Sequence, residues 1–213
     1  HRQRGIVSSG SEEPNALMNL GEGAMLEPNQ RATTTELFQG LNATSQNHWP
    51  SLEFDIGAIN KYLSRLLPAG FYYKTFIHPR SFWKYVYEPF IRRSAGLGKA
   101  PCEKDTSTYE HFYAFYDLVV VGGGVAGLFS ALIAAKSGKK ILVIEQTANW
   151  GGRAPVDGGE VAGQPVEKFV DECILTLSNM ENVEMRTRMM GAGVYDHGYL
   201  IAYERLSDHK PEA

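Results

Sequence analysis

The sequence has few cysteines. Cys102 and Cys173 are the two that occur among 213 residues, and they lie far apart in dissimilar surroundings. We therefore expect no disulfide, with Cys173 acting as a small buried hydrophobe and Cys102 as an exposed thiol. A reducing, cytoplasmic location fits this cysteine usage best.

The sequence also lacks long apolar runs and a strong net charge. No run of about 18 apolar residues and no basic-then-apolar leader occurs, so we expect neither a membrane span nor a secretory signal. The formal net charge is -3 with both signs interspersed, which favours neither nucleic acid nor a membrane as partner. The six histidines show no metal-ligand spacing, and no Ser/His/Asp grouping is found. We expect no metal site and no catalytic acid, base or nucleophile in this chain.

Glycine is abundant, and it forms a G-x-G-x-x-G motif. The motif consists of Gly122, Gly124 and Gly127, with Gly123 inside it, directly after the valine-rich run 117–121. The first glycine allows a tight turn, the second lets the backbone approach a pyrophosphate, and the third lets a helix pack closely on the strand. Apolar residues at helical spacing follow up to Lys136, and the N-terminus of that helix favours an anion at the turn.

A second strand, from about Lys140 to Ile144, ends at Glu145. A carboxylate about 20 residues beyond the glycines can accept hydrogen bonds from both adenosine ribose hydroxyls and would repel a 2′-phosphate. Strand, turn, helix and acid together predict a Rossmann-like βαβ unit that binds NAD or FAD rather than NADP.

The rest of this domain extends the α/β pattern. Gly151 and Gly152 form a second glycine pair, and Arg153 after it could reach a pyrophosphate or a ribose, or could remain solvated. An amphipathic helix is predicted over 165–179, a third parallel strand over 183–187 and an antiparallel excursion over 193–206. The sheet lacks a closing strand and the chain starts at His1, so we expect a piece of a longer chain, incomplete relative to the glutathione-reductase type.

Three segments are expected along the chain. Residues 1–40 alternate short β-type stretches with turns, and the pattern of Thr33 to Gly40 indicates a short helix or helical turn ending at Gly40. Residues 41–112 form an aromatic-rich connector with a helix over 81–95, and 113–213 form the dinucleotide-binding domain. The aromatic residues could stack on a base or flavin, but packing onto a sheet or a partner subunit is the better interpretation.

Four ordered stretches carry a family resemblance. They read RGIVSSGSEEPNAL, EPNQRATTTEL, SQNHWPSLEFDIGAIN and LPAGFYYKTFIHPRSFWKYVYEPFIRRSAGLG, and the βαβ unit follows them. Together they resemble the α subunits of heterotetrameric sarcosine oxidases. The resemblance implies that residues 1–40 are the remnant of a β-grasp, ferredoxin-like domain. Relatives with a plant-type [2Fe–2S] cluster need a C-x₄-C-x₂-C run, whereas this sequence has Ser8, Glu13 and Ala16 at that spacing, so no cluster is expected.

The resemblance also implies a function. Members of this family oxidise sarcosine to glycine, with hydrogen peroxide and either formaldehyde or 5,10-methylenetetrahydrofolate as the other products. It implies NAD in this chain, FAD and FMN on or near the β subunit, and β, γ and δ subunits as partners, with sarcosine and tetrahydrofolate as ligands of the complex.

The family's nucleotide-binding positions can be carried over to this sequence. Gly122, Gly123, Gly124 and Gly127 would make the turn, Val125 and Ala126 would present helical N–H groups to the pyrophosphate, and Glu145 would hold the ribose. The remaining positions are Gln146 and Thr147 at the ribose and adenine edge, Gly152 and Arg153 near the pyrophosphate, and Gly191 near the adenine. The family often has an acid and then a basic residue at 146 and 147, and this sequence departs from that pattern.

Two alternatives remain open. One is an α subunit of a related amine, opine or proline dehydrogenase or of a cyanide synthase, with FAD in this site, since the first βαβ unit binds the ADP half that NAD and FAD share. The other is a non-catalytic assembly subunit whose nucleotide is structural and whose aromatic segment is an interface.

Overall fold

A computed structural model describes residues 17–46, 48–59, 62, 76, 78–207 and 209. The sequence positions Ser8, Glu13 and Ala16, on which the prediction about the cluster depends, lie outside these residues. The chain divides into two compact units, residues 1–109 and residues 110–213.

The first unit contains a small antiparallel sheet. Its strands are β1 (Leu17–Leu20), β2 (Glu27–Arg31) and β3 (Ala43–Ser45), in the order β2-β1-β3. The β3 strand lies in the part of the sequence that was expected to be connector. Thr33 to Gly40 forms turns and irregular backbone, so of the two structures predicted for this stretch the short helix is wrong. With two or three turns at most, such a helix gains too few hydrogen bonds to repay its nucleation.

The predicted helix over 81–95 is present but irregular. A 3₁₀ turn (Arg80–Phe82) leads into a π-helical turn (Trp83–Tyr87) and then into α1 (Glu88–Ala95). Pro89 lies in the first turn of α1, directly after the π-helical turn, because proline tolerates the first turn of a helix but disrupts its interior. The helix ends at Gly96, which adopts a left-handed φ of 69°.

Gln46 links this sheet to the segment after α1. Its amide nitrogen donates to Asn29 Oδ1 at 2.8 Å and to the Gly96 carbonyl at 2.9 Å, and its oxygen accepts from the Asn29 N–H at 2.9 Å. Asn29 Oδ1 also accepts from the Gly98 N–H at 2.8 Å. These four hydrogen bonds, here called the Gln46 clasp, hold residues 96–98 against the small sheet.

The second unit is built on a parallel sheet. Its elements in chain order are β4 (Leu118–Val121), α2 (Val125–Ala135), β5 (Ile141–Ile144), α3 (Ala154–Asp157), β6 (Glu160–Val161), β7 (Gln164–Pro165), α4 (Val166–Ser178), β8 (Val183–Arg186), β9 (Met189–Tyr195) and β10 (Tyr199–Glu204). The parallel sheet has the order β4-β5-β8, and β9 and β10 pair as an antiparallel hairpin. These elements confirm the predicted strand, helix, strand, helix and strand, with bounds that differ by one or two residues.

The central strand β5 carries the core on both of its faces. Ile141 and Val143 pack in one cluster with the buried faces of α2 and α4, whereas Leu142 and Ile144 pack with Met189 of the hairpin. All four β5 residues are buried, as expected of a parallel strand covered on both sides. The unit is therefore a three-layer α/β structure, and the carboxyl ends of its strands converge beside the glycine turn.

Candidate functional site

The glycine turn joins β4 to α2 in a conformation that requires glycine. Gly122 has a φ of +102°, which L side chains rarely adopt. A Cβ at Gly127 would lie 1.9 Å from the Gly122 carbonyl oxygen, so the third glycine lets the helix approach the strand. The first helical hydrogen bond runs from the Leu128 N–H to the Gly124 carbonyl at 2.9 Å.

Gly124 lies at the N-terminal end of α2 and borders open space. Its backbone is ordinary extended backbone (φ -72°, ψ 178°), and no atom lies within 4 Å of where its Cβ would be. The first N–H groups of a helix have no partners within the helix and carry a partial positive charge. The turn therefore offers an open approach to a helix N-terminus, which suits a pyrophosphate.

Gly123 is held on three sides. Its N–H donates to Glu145 Oε2 at 2.7 Å, and its carbonyl accepts from the Gly151 N–H at 2.8 Å. A Cβ at Gly123 would lie 2.3 Å from Cε3 of Trp150, so the indole ring fills the space next to this glycine. These contacts fix the orientation of the turn.

Glu145 is the buried charged group of the site, with 5% of its surface exposed. Besides the Gly123 N–H on Oε2, its Oε1 accepts from the Thr147 N–H at 2.8 Å and lies 2.9 Å from the Thr147 hydroxyl. The structure thus brings Glu145 to the glycine turn, where the sequence placed it, and adds a contact that the sequence did not predict. The carboxylate braces the turn as well as ending β5.

The second glycine pair docks on the first. Gly151 forms a parallel bridge with Gly124, and a Cβ at Gly152 would lie 3.2 Å from the Gly124 Cα. Trp150 directly precedes the pair and packs against the cluster beneath α2 and α4. Sequence reasoning identified the glycine pair but missed Trp150. A large aromatic next to two glycines was the available signal, but its contact with Gly123 depends on tertiary structure.

Arg153 is engaged within its own helix. Its Nη2 and Nε donate to Asp157 at 2.7 and 3.0 Å, and both side chains are exposed. The hydrogen bonds from Arg153 lower the pKa of the Asp157 carboxyl. The structure places this guanidinium on Asp157, an i,i+4 partner that the sequence could have indicated.

The remaining sequence-predicted residues lie at the same edge of the sheet. The Gln146 carbonyl accepts from Arg205 Nη2 at 3.1 Å. Gly191 lies within β9, and a Cβ there would lie 3.1 Å from Cγ1 of Val121, the last residue of β4. Val125 and Ala126 are the first two residues of α2.

The part of the chain that the structure describes offers neither a metal cluster nor a membrane-spanning helix. There, no group of three or more His, Cys, Asp or Glu side chains could hold a metal ion. The helices of these residues include none that is long and apolar enough to cross a bilayer. As expected, Cys102 is exposed and Cys173 is buried, and burial raises the pKa of the Cys173 thiol.

Two family models match the chain. Residues 117–197 match the FAD dependent oxidoreductase family, and residues 1–48 match the 2Fe-2S iron-sulfur cluster binding domain family. The fold predicted for both ends of the chain is thereby confirmed. The second match implies a cluster, but the chain's two cysteines are at 102 and 173 and segment 1–48 supplies no thiolate, so its donor set does not fit iron and sulfide.

Curated relatives match the chain along nearly its full length. The sarcosine oxidase subunit alpha of Rhizobium meliloti (strain 1021) is 45% identical over 212 residues, which cover 100% of this chain and 22% of the relative. The sarcosine oxidase subunit alpha of Corynebacterium sp. (strain U-96) is 27% identical over 98% of this chain and 17% of the relative. The chain therefore spans about a fifth of the length of these relatives.

Among solved structures, L-proline dehydrogenase from P. horikoshii aligns with 48% of this chain and 22% of its own, at 22% identity and a TM-score of 0.38. The matches to the two subunits confirm the resemblance predicted from the sequence: this chain is related over its whole length to a section of the sarcosine oxidase α subunit.

Proposed function

We propose that this chain binds the ADP half of a dinucleotide in an α subunit of a sarcosine-oxidising enzyme complex. The observation that carries the proposal is the open glycine turn at the N-terminus of α2, in a chain that is 45% identical to a sarcosine oxidase α subunit. The nucleotide proposed for the site is NAD.

Residues of the site are available for each part of an ADP group, namely the pyrophosphate, the ribose and the adenine. Gly124 leaves room for the pyrophosphate, and the N–H groups of Val125 and Ala126 at the start of α2 supply hydrogen bonds and positive potential to it. Glu145 Oε2 has one more lone pair than the Gly123 N–H uses, so it can accept from a ribose hydroxyl. Gln146 and Thr147 are proposed for the ribose and adenine edge, and Gly191 is proposed for the adenine.

Arg153 can contact the nucleotide only if it leaves its present partner. Its guanidinium is paired with Asp157, so contact with the pyrophosphate requires that pair to open. Both side chains are about half exposed, and exposed ion pairs are weak because water and salt screen them, so a phosphate can compete for the arginine.

A bound dinucleotide supplies two-electron chemistry at its nicotinamide or flavin ring. The residues of this chain bind and orient the nucleotide, and Glu145 rejects a 2′-phosphate by charge repulsion. We assign no catalytic acid, base or nucleophile to the chain. We propose that the chain acts in a cytoplasmic complex with β, γ and δ subunits. Other parts of that complex would carry out amine oxidation at FAD, electron transfer through FMN and the folate chemistry.

The second candidate is FAD in the same site, as in a related amine, opine or proline dehydrogenase. The match of residues 117–197 to the FAD dependent oxidoreductase family favours it. Acid extraction of the complete natural protein followed by mass spectrometry of the released nucleotide separates the two. NAD supports the proposal, whereas FAD at one equivalent per site replaces it with the second candidate.

Gly124→Val tests the site itself. The new side chain enters the space proposed for the pyrophosphate, while the extended backbone tolerates valine, so the variant should fold and lose its nucleotide. Ser130→Val places the same side chain at an exposed position of the same helix and should retain nucleotide. Stoichiometric nucleotide in a folded Gly124→Val protein would contradict the assignment.

A further inference from the structure

The Thr147 hydroxyl lies between two acceptors. Its oxygen is 2.9 Å from Glu145 Oε1 and 2.9 Å from the Asn149 carbonyl oxygen. A threonine hydroxyl has one proton, so it donates to one of these oxygens at a time. The carboxylate is the stronger acceptor, and the proton therefore points to Glu145 when no ligand competes for that oxygen.

The other hydrogen bonds of Glu145 leave little accepting capacity. Oε2 accepts from the Gly123 N–H at 2.7 Å, and Oε1 accepts from the Thr147 N–H at 2.8 Å and from the Thr147 hydroxyl. Each carboxylate oxygen has two lone-pair positions. Oε1 is thus filled by Thr147, and Oε2 retains one position. A ribose offers two hydroxyl donors, so one of them lacks an acceptor unless Thr147 gives up its place.

We propose that Thr147 is a positioning residue that hands Glu145 Oε1 over to a ribose hydroxyl when the dinucleotide binds. The Thr147 proton rotates from Glu145 Oε1 to the Asn149 carbonyl, and the ribose hydroxyl donates to the vacated position. Only hydrogen bonds change, and each donor keeps an acceptor. The inference rests on the proposed function, which places the ribose at Glu145.

This exchange has a cost that the nucleotide must offset. On binding, Thr147 gives up a hydrogen bond to a charged oxygen and gains one to a neutral carbonyl, and the former is about twice as strong. A variant without the hydroxyl has no bond to give up. Thr147→Val should therefore bind the ADP half more tightly than the natural protein, although it loses a hydrogen bond.

The test is calorimetric titration of the complete natural protein, after removal of bound nucleotide, with ADP, 2′-deoxy-ADP and 3′-deoxy-ADP. Thr147→Val should bind ADP about threefold to tenfold more tightly than the natural protein. Thr147→Ser keeps the hydroxyl and should match the natural protein. The advantage of the valine variant should disappear with the one deoxy analogue that lacks the hydroxyl donating to Oε1. Thr147→Ala also lacks the hydroxyl and replaces the valine variant if that protein fails to fold.

The outcomes separate the inference from the proposed function. A natural protein that prefers ADP to a deoxy analogue, together with a valine variant that binds ADP equally or more weakly, rejects the handover and leaves the ribose contact in place. An advantage that persists with both deoxy analogues also rejects it. A natural protein that binds all three nucleotides equally, or none of them, removes the proposed ribose contact and the inference with it.

Discussion

The two units of the chain differ in how their apolar residues are placed. In the second unit, thirteen apolar residues from Leu128 to Met189 are buried, and they form clusters on both faces of β5. Among the described residues of the first unit none of the apolar side chains is buried, and large ones such as Tyr85 and Phe90 are 75% and 59% exposed. The second unit has a hydrophobic core, whereas the described part of the first relies on the Gln46 clasp and on contacts among aromatic rings.

This difference bears on which unit holds a site rigidly. The glycine turn is attached to buried strands and to the cluster that includes Trp150, so its N–H groups have fixed directions. Preorganised donors bind an anion without reorganisation, and a packed core provides that rigidity. The first unit presents exposed aromatic residues, which are enriched at protein interfaces. Stability should therefore respond differently to substitutions in the two units.

The largest effect is expected in the core of the second unit. Leu177 is fully buried in α4, and Leu177→Ala should destabilise this unit by about 2–5 kcal/mol, because it removes packed methyl groups and leaves a cavity. Leu175 in the same helix is 67% exposed, and Leu175→Ala should cost less than about 0.5 kcal/mol. Hydrogen–deuterium exchange of β5 measures both. Equal effects of the two variants would show that α4 does not pack on the sheet as described.

A smaller effect is expected from the clasp of the first unit. Gln46→Ala removes three hydrogen bonds and should cost about 1–3 kcal/mol, seen as faster exchange of the β1–β3 sheet with no change in β5. Thr44→Ala, at an exposed position of β3, is the control and should have little effect. If Gln46→Ala leaves exchange of the small sheet unchanged, polar contacts do not hold this unit together and the comparison of the two units needs revision.

The sequence predicted the parts whose structure follows from local rules. The glycine spacing, the apolar periodicity of 125–135 and the acid at 145 each impose a backbone geometry, and the structure has the strands and helices where these patterns indicated. Prediction from the sequence failed where the structure depends on contacts between residues far apart in the chain. The place of β3 beside β1, and of Trp150 against Gly123, arises from packing between residues far apart in sequence.

Two local predictions also met limits. The short helix at Thr33 to Gly40 had helical residues but no buried face to stabilise it, and it is absent from this described stretch. The role of Glu145 was only partly visible, because a sequence shows a carboxylate at the right distance but not that the Gly123 N–H already occupies one of its oxygens. Positions are thus predictable from spacing, whereas competition for hydrogen bonds requires the structure.

A still smaller, pH-dependent effect on stability is expected from Glu184 of the second unit, which forms an ion pair with Arg186. Hydrogen bonding from Tyr116 lowers the pKa of the Glu184 carboxyl, opposed by partial burial and helped by Arg186. A carboxyl with a lowered pKa in the folded state stabilises the fold above its ordinary value of 4.5 and loses that contribution as the pH falls through the folded pKa.

Glu184→Gln should therefore cost less than about 1 kcal/mol at pH 7, since the 37% exposed side chain is screened by water, and nothing at low pH. Denaturant unfolding at pH 7 and pH 3 measures the difference, with Glu181→Gln, at an exposed turn, as the control. A cost that stays constant between the two pH values would mean that charge on Glu184 does not contribute.

The smallest effect on stability is expected at the exposed rings of the first unit. Tyr85 is 75% exposed and its ring contacts Lys84, whose nitrogen lies 5.5 Å from the ring centroid. Tyr85→Ala should change the free energy of unfolding by less than about 0.5 kcal/mol. Tyr87 is the matched control, because its ring packs on Phe76 at 5.1 Å between centroids and its hydroxyl donates to the His78 carbonyl, so Tyr87→Ala should cost more than about 1 kcal/mol. Thermal unfolding of both variants measures the difference in stability. A Tyr85→Ala protein as unstable as the Tyr87→Ala protein would mean that the exposed rings contribute to the packing of this unit.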